Sequence, residues 1–92
     1  MSNPIFSILI TTKNRKADLA FSLNKISYLL DNVSVSCVVI DDGSTDGTYE
    51  YVKEKFPNVQ LERNAVSKGY IFCRNKMLNE TKADYAISLD DD

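Results

Sequence analysis

Four short apolar runs, separated by segments with helical spacing, constrain this chain more than any other feature. Ile5-Phe6-Ser7-Ile8-Leu9-Ile10-Thr11 is rich in β-branched and large apolar residues, and is bounded by Pro4 and by the polar Lys13-Asn14-Arg15. Val35-Ser36-Cys37-Val38-Val39-Ile40 is a second run, residues 58–61 a shorter third, and Asp84-Tyr85-Ala86-Ile87-Ser88-Leu89 the fourth. Such runs read as strands of a buried sheet. Between the first two, Leu19, Leu23, Ile26 and Leu30 fall at intervals of four, three and four. That is one stripe on a helix over residues 15–31, with Asn14 as its N-cap. Tyr49, Val52 and Phe56 mark a second helix that stops before Pro57, with Ser44 or Thr45 able to cap it. A third helix spans residues 67–79, with Ile71, Met77 and Leu78 among its apolar positions. Four strands alternating with three helices specify an α/β fold: a parallel sheet with right-handed crossovers.

Length fixes the scale. With 92 residues the chain forms one small domain, spanning residues 1–92, and a chain of this size buries roughly 60–65% of its unfolded surface. The composition, 43% hydrophobic and 26% charged, excludes a disordered or low-complexity chain. No apolar stretch approaches the roughly 20 residues of a transmembrane helix, so no transmembrane segment is expected. A net charge of -2, with no platform spacing among the aromatic residues, argues against nucleic acid as a partner. Cys37 and Cys73 both lie in apolar runs and read as a buried reduced pair, which suits a cytoplasmic protein.

The chemistry concentrates at the strand ends. In a parallel sheet, ligands bind beyond the carboxyl ends of the strands. Asp41, Asp42, Asp90, Asp91 and Asp92 all stand at such ends. Like charges gathered on one rim repel unless a cation or a set of donors is present. Carboxylates are hard oxygen ligands that suit Mg²⁺ or Mn²⁺. Alternation along the strand sends Asp41 and Asp42 to opposite sides, so at most one need face a ligand. Lys13 and Arg15 follow the first strand, and Lys68 and Arg74 lie near the start of the third helix. Arg74 needs a partner, which a rim carboxylate would supply.

Several activities are excluded. The chain has no histidine, so neither a Ser–His–Asp triad nor the usual zinc site can form. The turn Asp41-Asp42-Gly43-Ser44-Thr45-Asp46-Gly47 matches neither a Walker phosphate loop nor a dinucleotide fingerprint. Cys73 lacks a histidine partner and reads as core. The residues alone leave two readings open. One is a cation-assisted enzyme acting on a diphosphate. The other is a non-catalytic divalent-cation-binding or response-regulator-like signalling domain, although receiver domains carry an acidic pair where this first strand ends in Thr11-Thr12.

Four blocks in register resemble the N-terminal, nucleotide-sugar-binding half of a family 2 glycosyltransferase with the GT-A fold. They are residues 6–15, residues 38–46 with Asp41-Asp42-Gly43-Ser44, residues 64–75 with Gly69, Arg74 and Asn75, and residues 86–92 ending in Asp90-Asp91-Asp92. The resemblance implies a three-layer, Rossmann-like sheet in the order 3-2-1-4, with helices on both faces. It implies a nucleoside diphosphate sugar as partner, most often a UDP-sugar, and Mn²⁺ or Mg²⁺ as cofactor. By position, Thr11, Thr12, Lys13, Asn14, Asp41, Asp42 and Arg74 would form the nucleotide corner, with Asp42 accepting a hydrogen bond from the base. Asp90 and Asp91 would face the ribose or donor sugar, and Asp92 with Asp90 would hold the metal. Transfer would proceed with inversion. Lys13 departs from the pattern, because the family often has an aromatic residue there. The resemblance also implies that the domain is cut at its Asp-x-Asp motif. The general base would then lie beyond Asp92, none of the 92 residues would be catalytic, and the fragment alone would not turn over. The last strand would be an undefended edge available for self-association. The full-length protein would be cytoplasmic, with peripheral membrane attachment compatible with the pattern.

Overall fold

Each strand is followed by a helix until the chain reaches its fourth strand. The structure, a computed structural model, describes residues 4–32 and 34–89. The elements are β1 (Phe6–Thr12), α1 (Lys16–Leu30), β2 (Val35–Asp41), α2 (Thr48–Lys55), β3 (Gln60–Arg63), α3 (Tyr70–Glu80) and β4 (Tyr85–Leu89). The four strands form one sheet in the order β3-β2-β1-β4, and every pairing is parallel. This is the parallel sheet and the strand order that the sequence blocks imply.

The register sorts the side chains into two cores. Ile8 pairs with Cys37, Ile10 with Val39 and Thr12 with Asp41, so these residues share one face of the sheet. On that face Ile8, Ile10, Cys37 and Val39 pack with Leu19 and Leu23 of α1, Val52 of α2 and Val59. On the other face Leu9 and Ile40 pack with Cys73 and Met77 of α3. Burying an aliphatic side chain of this kind stabilises by about 1.5–3 kcal/mol. Both cysteines are free and buried, one in each core, which keeps them on opposite sides of the sheet.

Four sequence expectations are corrected here. The third strand occupies Gln60–Arg63 instead of residues 58–61. Val59 N–H closes a turn onto Phe56 O, so pairing with β2 begins only at Gln60. The third helix begins at Tyr70 instead of residue 67, because the Ser67 side chain and the Lys68 and Gly69 N–H groups bond elsewhere, as described below. Its inward face is Cys73 and Met77, four residues apart, while Ile71 is 72% and Leu78 41% exposed. Asn14 does not cap α1; the N-cap is Arg15, without a side-chain cap bond. Nor do Ser44 and Thr45 cap α2, whose Thr48 N–H instead donates to Asp46 Oδ1 at 3.1 Å.

Among the described residues β4 is covered on one edge only. Phe6 stacks on Tyr85 with ring centroids 5.5 Å apart, yet Tyr85 remains 63% and Ile87 44% exposed. Tyr85 N–H donates to Ile5 O, which turns the odd-numbered main-chain groups of β4 toward β1. In a parallel ladder the N–H and C=O of Ala86 and Ser88 then point to the open edge.

Candidate functional site

Two loops meet at the carboxyl ends of β1 and β2, and short polar side chains tie them together. Asn14 adopts φ 53°, a left-handed conformation that asparagine tolerates better than most residues. Its N–H donates to Ser44 Oγ at 2.8 Å, and its Oδ1 accepts from Thr45 N–H at 2.7 Å. Lys16 N–H donates to Asp46 Oδ2 at 3.2 Å, while Asp46 Oδ1 also takes the Thr48 hydroxyl. The Thr48 hydroxyl is the main reason the Asp46 carboxyl is held below its ordinary range. Thus the loop after β1 and the turn after β2 form one rigid rim.

The adjacent aspartates turn to opposite sides, as strand alternation requires. Asp41 lies on the face of α1 and α2 and is fully buried. Its Oδ1 accepts from Ser44 N–H at 3.0 Å, and its main-chain carbonyl accepts from Asn64 N–H at 2.9 Å. Asp41 Oδ2, Thr11 Oγ1 and Thr12 Oγ1 are buried without a hydrogen-bond partner among the described residues. Buried polar atoms are ordinarily satisfied; Thr12 and Asp41 face each other across β1 and β2 under α1 and α2, whereas Thr11 is on the other side of the sheet.

Asp42 is only 3% exposed and is filled by the protein. Oδ1 accepts from Asn64 Nδ2 at 2.9 Å and Lys68 N–H at 2.7 Å, while Oδ2 accepts from Ser67 Oγ at 2.8 Å and Gly69 N–H at 2.9 Å. Burial alone would raise its pKa. The bonds from the Lys68 N–H, Asn64, Ser67 and the Gly69 N–H outweigh it and hold the carboxyl well below the usual range. A carboxylate offers about four lone-pair sites, and all four are in use. The direct base contact that the resemblance gives Asp42 would have to displace one of these donors.

Thr11, Thr12, Lys13, Asn14, Asp41 and Asp42 therefore all stand at the carboxyl ends of β1 and β2, with Thr12 and Asp41 on the side of α1 and α2 and Thr11 and Asp42 on the side of α3. Lys13 is exposed beside it. Arg74 stands on the first turns of α3 with its side chain exposed, instead of buried against a rim carboxylate. The residues that sequence reading missed are Arg63, Asn64 and Ser67. Arg63 donates to Ser44 O at 3.5 Å and lies over the Tyr49 ring, 5.4 Å from its centroid. A basic residue closing a short strand was the available signal for it. A cavity of about 530 Å³ adjoins the corner behind α1, but of the expected site residues only Asn14 lines it.

The thiols are not part of a reactive site. Burial pushes Cys37 up to about 12, and burial followed by the Asp42 charge pushes Cys73 up to about 11.

Among the described residues no group of three or more His, Cys, Asp or Glu side chains could hold a metal ion. Asp42 has no free oxygen and Asp41 has one, so these two do not fit a divalent ion by themselves. Asp90, Asp91 and Asp92, the expected sugar-side and metal residues, lie outside the described residues. β4 reaches Leu89 beside Ile10 at the same end of the sheet.

With this geometry in hand, relatives can be placed. Residues 7–92 match the sequence profile of glycosyl transferase family 2. The chain belongs to that family. A member-like fold is also seen in a mannosyltransferase from Pyrobaculum calidifontis, solved in complex with GDP-mannose and Mn²⁺. It superposes with a TM-score of 0.79 at 24% sequence identity, a likeness of fold. The match covers 100% of this chain and 28% of that one, so the chain spans just over a quarter of the length of that structure. No helix among the described residues is long and apolar enough to cross a membrane.

Proposed function

We propose that this chain is the donor-binding part of an inverting, metal-dependent glycosyltransferase that uses a nucleoside diphosphate sugar, with UDP as the nucleotide. The observation that carries the reading is the corner at the carboxyl ends of β1 and β2. There a family 2 sequence leaves Thr11 Oγ1, Thr12 Oγ1 and Asp41 Oδ2 buried and unused by the protein. Asn14 and Ser44 fix the rim against which the nucleoside packs, and Arg74 supplies positive charge from α3. Asp90 and Asp91 are assigned to the ribose or sugar, and Asp92 with Asp90 to Mn²⁺ or Mg²⁺. When bound, the ion neutralises charge on the leaving diphosphate. Acceptor binding and the general base are assigned to sequence outside these 92 residues.

Titration with UDP followed by NMR tests the reading. We expect a Kd of about 0.1–10 mM, equivalent to about 3–5 kcal/mol. Shifts should cluster at residues 11–14, 41–44 and 74, and binding should tighten with Mg²⁺. Shifts confined to the outer helix surfaces, or none up to the solubility limit, would refute the donor site. Shifts at the same residues with GDP and none with UDP would keep the site and reassign the base.

The open edge of β4 is proposed to take a second copy of the chain. An antiparallel pair centred on Ile87 would let Ala86 and Ser88 exchange main-chain hydrogen bonds with their counterparts. Tyr85, Ile87 and Leu89 would line its apolar face, and no charge in the strand opposes it. Sedimentation across a hundredfold concentration range should show a reversible dimer that Ile87→Lys abolishes. A monomer at every concentration would show the edge to be silent.

A further inference from the structure

Asp42 spends its whole carboxylate on one six-residue stretch of chain, the loop over residues 64–69 between β3 and α3. We propose that Asp42 is a positioning residue, which latches this loop and the start of α3 at the nucleotide corner and acts on the nucleotide through them. The proposal rests on the nucleotide-binding reading above and gives the second aspartate a role distinct from the first.

Among the described residues little else holds the loop itself. Residues 65–69 are exposed, and Val66 is 75% exposed, so apolar burial contributes almost nothing there. α3 has no side-chain cap of its own at Gly69, which adopts φ 94°. The consecutive N–H groups of Lys68 and Gly69, which lead into α3, are taken by Asp42 instead. Beyond that point only Cys73 and Met77 anchor the helix in the core. The turn after β2 also comes close enough that a Cβ on Gly43, at φ +86°, would stand 3.2 Å from the Ser67 nitrogen. Asp42 and Gly43 together thus set where α3 begins, and with it where Arg74 stands.

Asn64 Nδ2 donates both to Asp42 and, at 3.4 Å, to Cys73 Sγ, so the same latch reaches the first buried residue of α3. The contrast with Asp41 is chemical. Asp41 keeps one acceptor oxygen unused, whereas Asp42 would lose a loop donor for every ligand donor it gained.

The test uses the 92-residue chain and has two readouts. Without nucleotide, Asp42→Asn should speed amide exchange at Lys68 and Gly69 about tenfold or more, and by a larger factor than at Ile10 and Val39, whose exchange follows global stability. Unchanged exchange at Lys68 and Gly69 would overturn the latch. With UDP, Asn64→Ala and Ser67→Ala, which leave Asp42 in place, should each weaken binding about three- to tenfold. In the Asp42→Asn background they should have no further effect, since the pair acts as a unit. If Asn64→Ala and Ser67→Ala bind UDP as well as or better than the parent chain while Asp42→Asn does not bind, Asp42 contacts the base directly and the proposal fails. Should Asp42→Asn not fold, the two loop variants alone decide between these outcomes. Faster exchange in a chain that never binds UDP would overturn the nucleotide reading and leave the loop latch standing.

Discussion

Leu9→Ala is expected to destabilise the chain by about 2–5 kcal/mol, a large share of what a domain of this size possesses. Leu9 is 0% exposed and sits with Ile40, Cys73 and Met77 in the smaller of the two cores. That core is the apolar contact between α3 and the sheet, so a cavity there loosens the helix as well as the strand. Surrounding groups can relax only in part, which adds a cavity term to the lost transfer free energy. Leu78→Ala is the control, because Leu78 is on the same helix but 41% exposed. Its cost should stay within about 0.5 kcal/mol. Guanidinium unfolding of both variants measures the difference, and equal losses would show that α3 packs through another face.

Acid should unfold the chain through Asp42. Its folded pKa is lowered, because the Lys68 N–H, Asn64, Ser67 and Gly69 N–H bonds outweigh the opposing effect of burial. A carboxyl with a depressed folded pKa contributes stability that is complete above its unfolded value, here about 3.8, and is lost as pH falls through the folded value. Asp46 carries the same sign, with the Thr48 hydroxyl as its main cause. Asp42→Asn should therefore be clearly less stable than the parent chain at pH 7. The gap should narrow as pH drops below about 3.8, because the parent then loses the charge the variant already lacks. Thermal unfolding from pH 7 to pH 2 checks this, and a gap constant with pH would place the effect outside the carboxylate's ionisation.

Strand existence, helix existence and the parallel class were legible in the sequence because each rests on local periodicity. Leu19 and Leu23 could be assigned to the core of α1, and Val39 to a central strand, from spacing alone. The opposite facing of Asp41 and Asp42 followed from strand alternation, which has a period of two whatever surrounds it. The strand order came from family resemblance, since nothing local distinguishes one order of parallel strands from another. What the sequence could not supply was the partner of each polar side chain. Asn14 read as a helix cap and became a bridge to Thr45, 31 residues away. Asp42 read as a nucleotide contact, and its bonds to a loop 22 to 27 residues further on had no local signal. A short polar side chain bonds whatever donor the fold brings within about 3 Å, and that proximity is set by crossovers and loop closure. Local pattern determines which residues are buried; only the assembled sheet decides which buried polar groups are already satisfied and which remain free for a ligand.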